Sequence, residues 1–139
     1  MTESITAAQI QEILDASPFI SFMNLEVLSA DQESETVVMR MPLRPEFERR
    51  AGTGQFHGGP IAALIDTAGD YAVVLKVGGG VPTINFRVDY LRPASNTALT
   101  ATARARRVGR SVAVVDIDVH DDNGKLCAVG RGTYSSNVG

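Results

Sequence analysis

The stretch HGGPIAALIDTAGDYAVVLKVGGG, residues 57–80, decides the architecture. Ile61, Leu64, Ile65, Ala68, Ala72 and Leu75 recur at helical spacing, and Gly78-Gly79-Gly80 ends the segment. Pro60 suits the first helical position, where a missing N–H costs nothing. The other side of this helix is apolar too, with Ala62, Ala63, Val73 and Val74. A helix apolar nearly all round has to be buried on more than one side. Only Asp66, Thr67 and Asp70 interrupt it with polar groups.

What buries it is strand after strand. Ile84, Phe86, Val88 and Tyr90 face one way, with Thr83, Asn85, Arg87 and Asp89 opposite. Strands follow over 97–107, over 111–120 after a turn at Gly109, and over 125–134. Asp121-Asp122-Asn123-Gly124 joins the last two, and Asn-Gly is the strongest short hairpin signal. Upstream, 25–41 reads as two strands around a polar turn at 29–35, and 45–59 as an irregular, glycine-bearing loop. Thr6-Ala7-Ala8-Gln9 is a capping box that opens a short helix with Ile10, Ile13 and Leu14 on one stripe, stopped by Ser17-Pro18. The fold class is α+β, one long helix set against a meandering antiparallel sheet. It fills a single domain, 1–139, with 1–18 as an N-terminal helical segment.

At 139 residues the chain can bury one core. Thirteen Lys+Arg against 16 Asp+Glu, with no Trp and three Tyr, offer neither the clustered positive charge nor the stacking surface that nucleic acid needs. A lone Cys127 excludes an internal disulfide and fits a reducing compartment. No apolar run approaches the roughly 18 residues of a membrane span, and the N-terminus lacks a signal-peptide pattern. The expectation is a soluble, cytoplasmic protein with no nucleic-acid and no membrane partner.

The segment Gly54-Gln55-Phe56-His57-Gly58-Gly59-Pro60 runs into the long helix. The first N–H groups of a helix lack internal partners and sit at the positive end of its dipole, so they suit a carboxylate or a developing oxyanion. Asp66 follows two turns on, with Asp70 one turn further on nearly the same face. Spacing leaves two readings of Asp66 open: a solvated surface carboxylate, or a base partly desolvated among Ala62, Ala63 and Val73. Asp70 reads as exposed, and His57 as a structural hydrogen-bonder or a proton carrier. Asp116, Asp118 and His120 alternate on one strand face, a spacing that reads as solvated polar residues rather than a metal site. Cys127, between Leu126 and Ala128, reads as a buried, inert thiol.

HGGPIAALID, then PTINFRVDYLRPA, then GRSVAVVDIDVHDDNGKLCAVGRGTY resemble the hotdog-fold acyl-CoA thioesterases of the phenylacetate-degradation (PaaI) type, over residues 19–134. The resemblance implies a five- or six-stranded antiparallel sheet wrapped around a long central helix. It further implies a homodimer or a homotetramer built as a dimer of dimers, with active sites between subunits. It implies hydrolysis of an acyl-CoA substrate to acid and CoA, with no cofactor and no metal. Gly58 takes the place of the glycine whose N–H polarises the thioester carbonyl, with Gly59 beside it. His57 corresponds to the adjacent histidine that places the substrate, and Asp66 to the catalytic acid, general base or nucleophile. Thr83 stands where some relatives orient the attacking water with Ser or Thr. Gln55 is a substrate-binding neighbour, and Arg104, Arg107 and Arg110 lie near the turn where relatives bind the phosphates of CoA. One departure stands out: Ala51 occupies a position where many relatives carry Asn or Gln. That departure keeps a non-catalytic acyl-CoA binder in view, and a hotdog dehydratase acting on hydroxyacyl thioesters is the other alternative.

Overall fold

In the computed structural model, which describes residues 4–138, the Thr6 hydroxyl accepts the Gln9 N–H at 3.1 Å while the Gln9 amide oxygen accepts the Thr6 N–H at 2.8 Å. This is the expected capping box, and it opens α1 (Ala7–Ala16), which buries Ile10 and Leu14. Ser17 ends α1 as expected, but Pro18 then takes the first turn of a helix not anticipated from sequence, α2 (Pro18–Met23). The residue that cannot continue one helix is well suited to start the next.

Strands β1 (Glu26–Asp31) and β2 (Thr36–Met41) pair antiparallel. β1 runs further than the sequence suggests, because Asp31 ties the turn itself: its carboxylate accepts the Ser34 hydroxyl at 2.7 Å. After a short 3-10 turn at Pro45–Phe47 comes the long helix, α3 (Gly58–Val77). It starts two residues before Pro60, which therefore sits at the third helical position rather than the first. Gly78, at φ 84°, ends it in the left-handed conformation. Then come β3 (Thr83–Tyr90), β4 (Leu99–Val108), β5 (Val112–Asp121) and β6 (Leu126–Ser135).

The sheet order is β1-β2-β4-β5-β6-β3, antiparallel at every pairing. β4, β5 and β6 form the expected meander. β3 departs from it: it crosses to the far edge beside β6, and β4 pairs with β2 instead. Residue alternation shows that a segment is a strand but not which neighbour it pairs with; here α3 carries the chain across the sheet before β3 begins.

The face toward α3 is built from Val37, Met39 and Met41 on β2, Leu99, Ala101 and Ala103 on β4, Val115, Ile117 and Val119 on β5, and Ala128 and Tyr134 on β6, all buried. Against it α3 buries Ile61, Leu64, Ile65, Ala68, Ala72, Val73, Val74 and Leu75. Each of its larger side chains contributes roughly 1.5–3 kcal/mol by leaving water. Cys127 is buried as expected, and burial pushes its thiol up. At the far edge, β3 is left uncovered, with Ile84 55%, Phe86 38% and Tyr90 54% exposed. Among the described residues no helix is long and apolar enough to cross a membrane.

One contact sets how closely α3 lies on the sheet. The Tyr134 ring occupies a slot between Gly69 of α3 and Gly132 of β6, and a Cβ at either glycine would run into it. Its hydroxyl donates to the Asp66 carbonyl at 3.1 Å. Gly69→Ala is expected to destabilise the fold by about 1–3 kcal/mol through overpacking. Thermal or denaturant unfolding measures it; an unchanged midpoint would show that the helix and sheet have room to separate.

Candidate active site

The loop before α3 is irregular in outline but firmly tied. Phe47 and Phe56 are both buried and stack with centroids 6.4 Å apart. The His57 N–H donates to the Phe47 carbonyl at 2.7 Å, the Phe56 N–H to the Ala94 carbonyl at 2.9 Å, and the Arg49 N–H to the Gln55 carbonyl at 2.8 Å. Gly54, at φ 68°, supplies the left-handed turn and donates its N–H to the Glu48 carboxylate at 2.5 Å. These bonds hold His57 at the N-cap of α3.

There the donors are distributed unevenly. The Nδ1 of His57 accepts the Gly59 N–H at 2.9 Å. Pro60 has no N–H to give. Among the described residues no acceptor meets the Gly58 N–H, so it is the open donor of the three first positions. Because Nδ1 accepts, neutral His57 carries its proton on Nε2 and presents a second donor. Tyr90 closes the other side: its hydroxyl donates to the Gly58 carbonyl at 2.8 Å, and a Cβ on Gly58 would lie 3.1 Å from its ring. A side chain at Gly58 would therefore need the exposed Tyr90 ring to give by a few tenths of an ångström. A cavity of 530 Å³ opens here, lined by Arg49, Gln55, Phe56, His57, Gly58, Gly59, Ile61 and the Tyr90–Ala94 stretch. Phe56, Met23 and Val74 are buried, and of these Phe56 also lines the cavity.

Asp66 is half-buried on α3 and does not line that cavity. Its Oδ1 accepts the Thr83 hydroxyl at 2.8 Å, so the structure brings together the helical acid and the first residue of β3. This bond leaves Oδ2 uncommitted. Asp66 stands eight residues beyond Gly58, about 12 Å along the helix axis at 1.5 Å per residue. Asp70 is not exposed, contrary to the sequence reading. It is half-buried, and burial first, then the Asp66 charge, pushes its carboxyl up to about 7. Helical spacing places Asp70 near Asp66 but carries no signal of how much of it the fold covers.

The three arginines expected near a phosphate do not form one group. Arg104 lies on the outer sheet face in a groove of 690 Å³ with Arg87, Arg106 and Arg131. That groove's charges are largely spent on each other: Arg131 reaches Asp116 at 2.7 Å, Arg106 reaches it at 3.6 Å, and Arg87 meets Asp89 at 3.2 Å. The Arg131 hydrogen bond holds the Asp116 carboxyl below the usual carboxylate range. Arg107 follows the β4 bulge and lies near Gly109, and Arg110 is exposed in the β4–β5 turn. None of the three lines the His57 cavity; its cations are Arg49 and Arg92.

Asp70 makes stability depend on pH with a definite sign. Its folded-state proton is held more tightly than in the unfolded chain, so its contribution is full below about pH 3.8 and is lost as pH rises toward about 7. Asp70→Asn is expected to flatten this slope, as read from denaturant midpoints at pH 5 and pH 8. An unaltered slope in the variant would reject Asp70 as its source.

With this geometry in hand, comparison with known proteins is informative. Residues 53–128 match the family model of the thioesterase superfamily. A Halobacterium salinarum protein provisionally named an esterase is 37% identical over 139 residues, covering 92% of this chain and 90% of its own. The acyl-coenzyme A thioesterase PaaI of Escherichia coli is 30% identical over 111 residues, 79% of this chain and 76% of its own. A thioesterase structure from Haemophilus influenzae superposes with a TM-score of 0.84 at 29% identity, covering 96% of this chain and 91% of its own. A sheet wrapped on one central helix, a glycine-led helix start and these matches agree: the chain belongs to the thioesterase superfamily and is a thioester hydrolase of hotdog fold.

Proposed function

We propose that this chain hydrolyses acyl-CoA thioesters in the cytoplasm as a homodimer, alone or paired into a tetramer, with each active site shared between two subunits. The observation that carries this reading is the separation of Asp66 from Gly58 on one helix, about 12 Å. A carboxylate at that distance cannot serve a carbonyl resting on its own chain's Gly58 N–H. Exposed Ile84, Phe86 and Tyr90 on the edge strand β3 supply a face for a second copy, which would also remove the aggregation liability of an open apolar edge.

In this reading the thioester carbonyl accepts the Gly58 N–H, with the positive end of α3 behind it. The donor matters most as the oxygen becomes an anion, a term worth about 2.7–4 kcal/mol per donor in comparable sites. Asp66 from the facing subunit acts through Oδ2, either taking a proton from water as that water attacks the acyl carbon or attacking the carbon itself. Thr83 holds Asp66 aimed by donating to Oδ1. The C–S bond then breaks and CoA leaves as thiolate, which takes a proton from Asp66 or solvent; where Asp66 has attacked the carbon, water then cleaves the mixed anhydride so formed, freeing the acid and restoring the carboxylate. Gln55, half-buried in the cavity wall, offers the side-chain amide that Ala51 does not. His57 offers Nε2–H, and Arg49 and Arg92 the cations for the carrier's phosphates.

Thiol release from short, medium, long and aromatic acyl-CoA esters tests the reaction. Asp66→Asn is expected to lower kcat by about 10²–10⁴-fold with circular dichroism and oligomer mass unchanged. An undiminished rate would reject Asp66. Thr83→Ala should cost roughly 10–100-fold, the value of a hydrogen bond to a charged group. The shared site has its own test in mixed dimers. Gly58→Pro removes the open N–H at a helix position that tolerates proline. Mixed at random with Asp66→Asn chains, it should restore about one quarter of the wild-type rate, since half the dimers are mixed and each holds one intact site. No recovery, with subunit exchange shown by mass, would place both residues' work within one chain.

A further inference from the structure

Asp70 is a half-buried carboxyl one turn from Asp66 that the mechanism above leaves unused. It projects from the same side of α3 as Asp66, one turn further on, where side chains four apart are neighbours. Asp66 has the Thr83 hydroxyl; among the described residues Asp70 has neither a hydrogen-bond donor nor a cation. The ionisable groups around it are Asp66 and Tyr71 on α3 and Tyr134 from β6, none of them positive. Lys76, further along the helix, is spent on Glu35 at 3.0 Å. A carboxyl placed this way serves no structural pairing, and an apolar residue would fill the position at less cost.

We propose that Asp70 is a positioning residue for the hydrolysis, a second carboxylate that activates Asp66 by repelling the negative charge that Asp66 gives up during the reaction. This rests on the reading of Asp66 as base or nucleophile. In either role, negative charge leaves Asp66 and collects on the carbonyl oxygen at Gly58 of the facing subunit. A second anion about 6 Å from Asp66, and further from that oxygen, raises the energy of the starting state more than that of the transition state.

The sign of the effect distinguishes it from a structural role. With Asp70 protonated the enzyme works at a lower level; as Asp70 ionises, near neutrality, the rate climbs again. The experiment is kcat and kcat/KM from pH 5 to 9, on the fastest acyl-CoA ester of the panel, for wild type, Asp70→Asn and Asp70→Glu. Wild type should show a second rise of roughly three- to tenfold near pH 7, above any limb at lower pH. Asp70→Asn should stay on the lower plateau throughout, and Asp70→Glu should regain the step at a displaced pH. A wild-type profile without the second step, a step that falls, or one that survives in Asp70→Asn would overturn the proposal. If Asp66→Asn kept full activity, the underlying reading would fail instead, whatever the Asp70 profile showed.

Discussion

Twenty residues of α3 present so little polar surface that water is a poor solvent for nearly every side of them, and the rest of the molecule answers that one constraint. A flat sheet could cover a single stripe. Here α3 touches all six strands, so the sheet has to bend around it. The means are local. Register shifts interrupt β1, β3, β4 and the β5–β6 pairing, breaks in the ladder of the kind that let a strand bend. Alanines at 101, 103 and 113 and glycines at 130 and 132 thin the inner face where the helix comes closest. Tyr134, wedged between two glycines, fixes the remaining spacing.

Enclosing the helix also determines what its ends can do. Its N-terminus emerges from the sheet beside a loop held by stacked Phe47 and Phe56, so the first amides are fixed in place without being buried. His57 consumes one donor, Pro60 never had one, and Gly58 keeps the third. The site therefore presents a single backbone donor at the positive end of a long dipole, with its approach shaped by Tyr90. A capping histidine is a structural device, yet it also settles the tautomer that faces the cavity.

Within the same helix, two carboxylates one turn apart have unlike surroundings. Thr83 reaches Asp66 because β3, although an edge strand, starts against β6 and brings its first residue under the helix. Among the described residues no element brings a donor to Asp70. The contrast comes from the sheet order, since a β3 placed next to β4 would not bring Thr83 alongside Tyr134.

The sequence alone determined the elements. A helix apolar all round, strands with alternating faces, a capping box and an Asn-Gly turn are encoded in neighbouring residues, and local periodicity is enough to read them. His57, Gly58 and Asp66 were visible for the same reason: helical spacing and the chemistry of a helix start do not depend on distant contacts. Only the tertiary structure decided the rest. Which strand β3 pairs with, and that Arg104, Arg107 and Arg110 lie apart from the cavity while Arg92 lines it, depend on residues far apart in the chain. Asp70 shows the physical reason most clearly. Its position follows from counting along a helix, whereas its burial depends on how the strands close over that helix, and desolvation is a property of the whole packed volume rather than of any short segment.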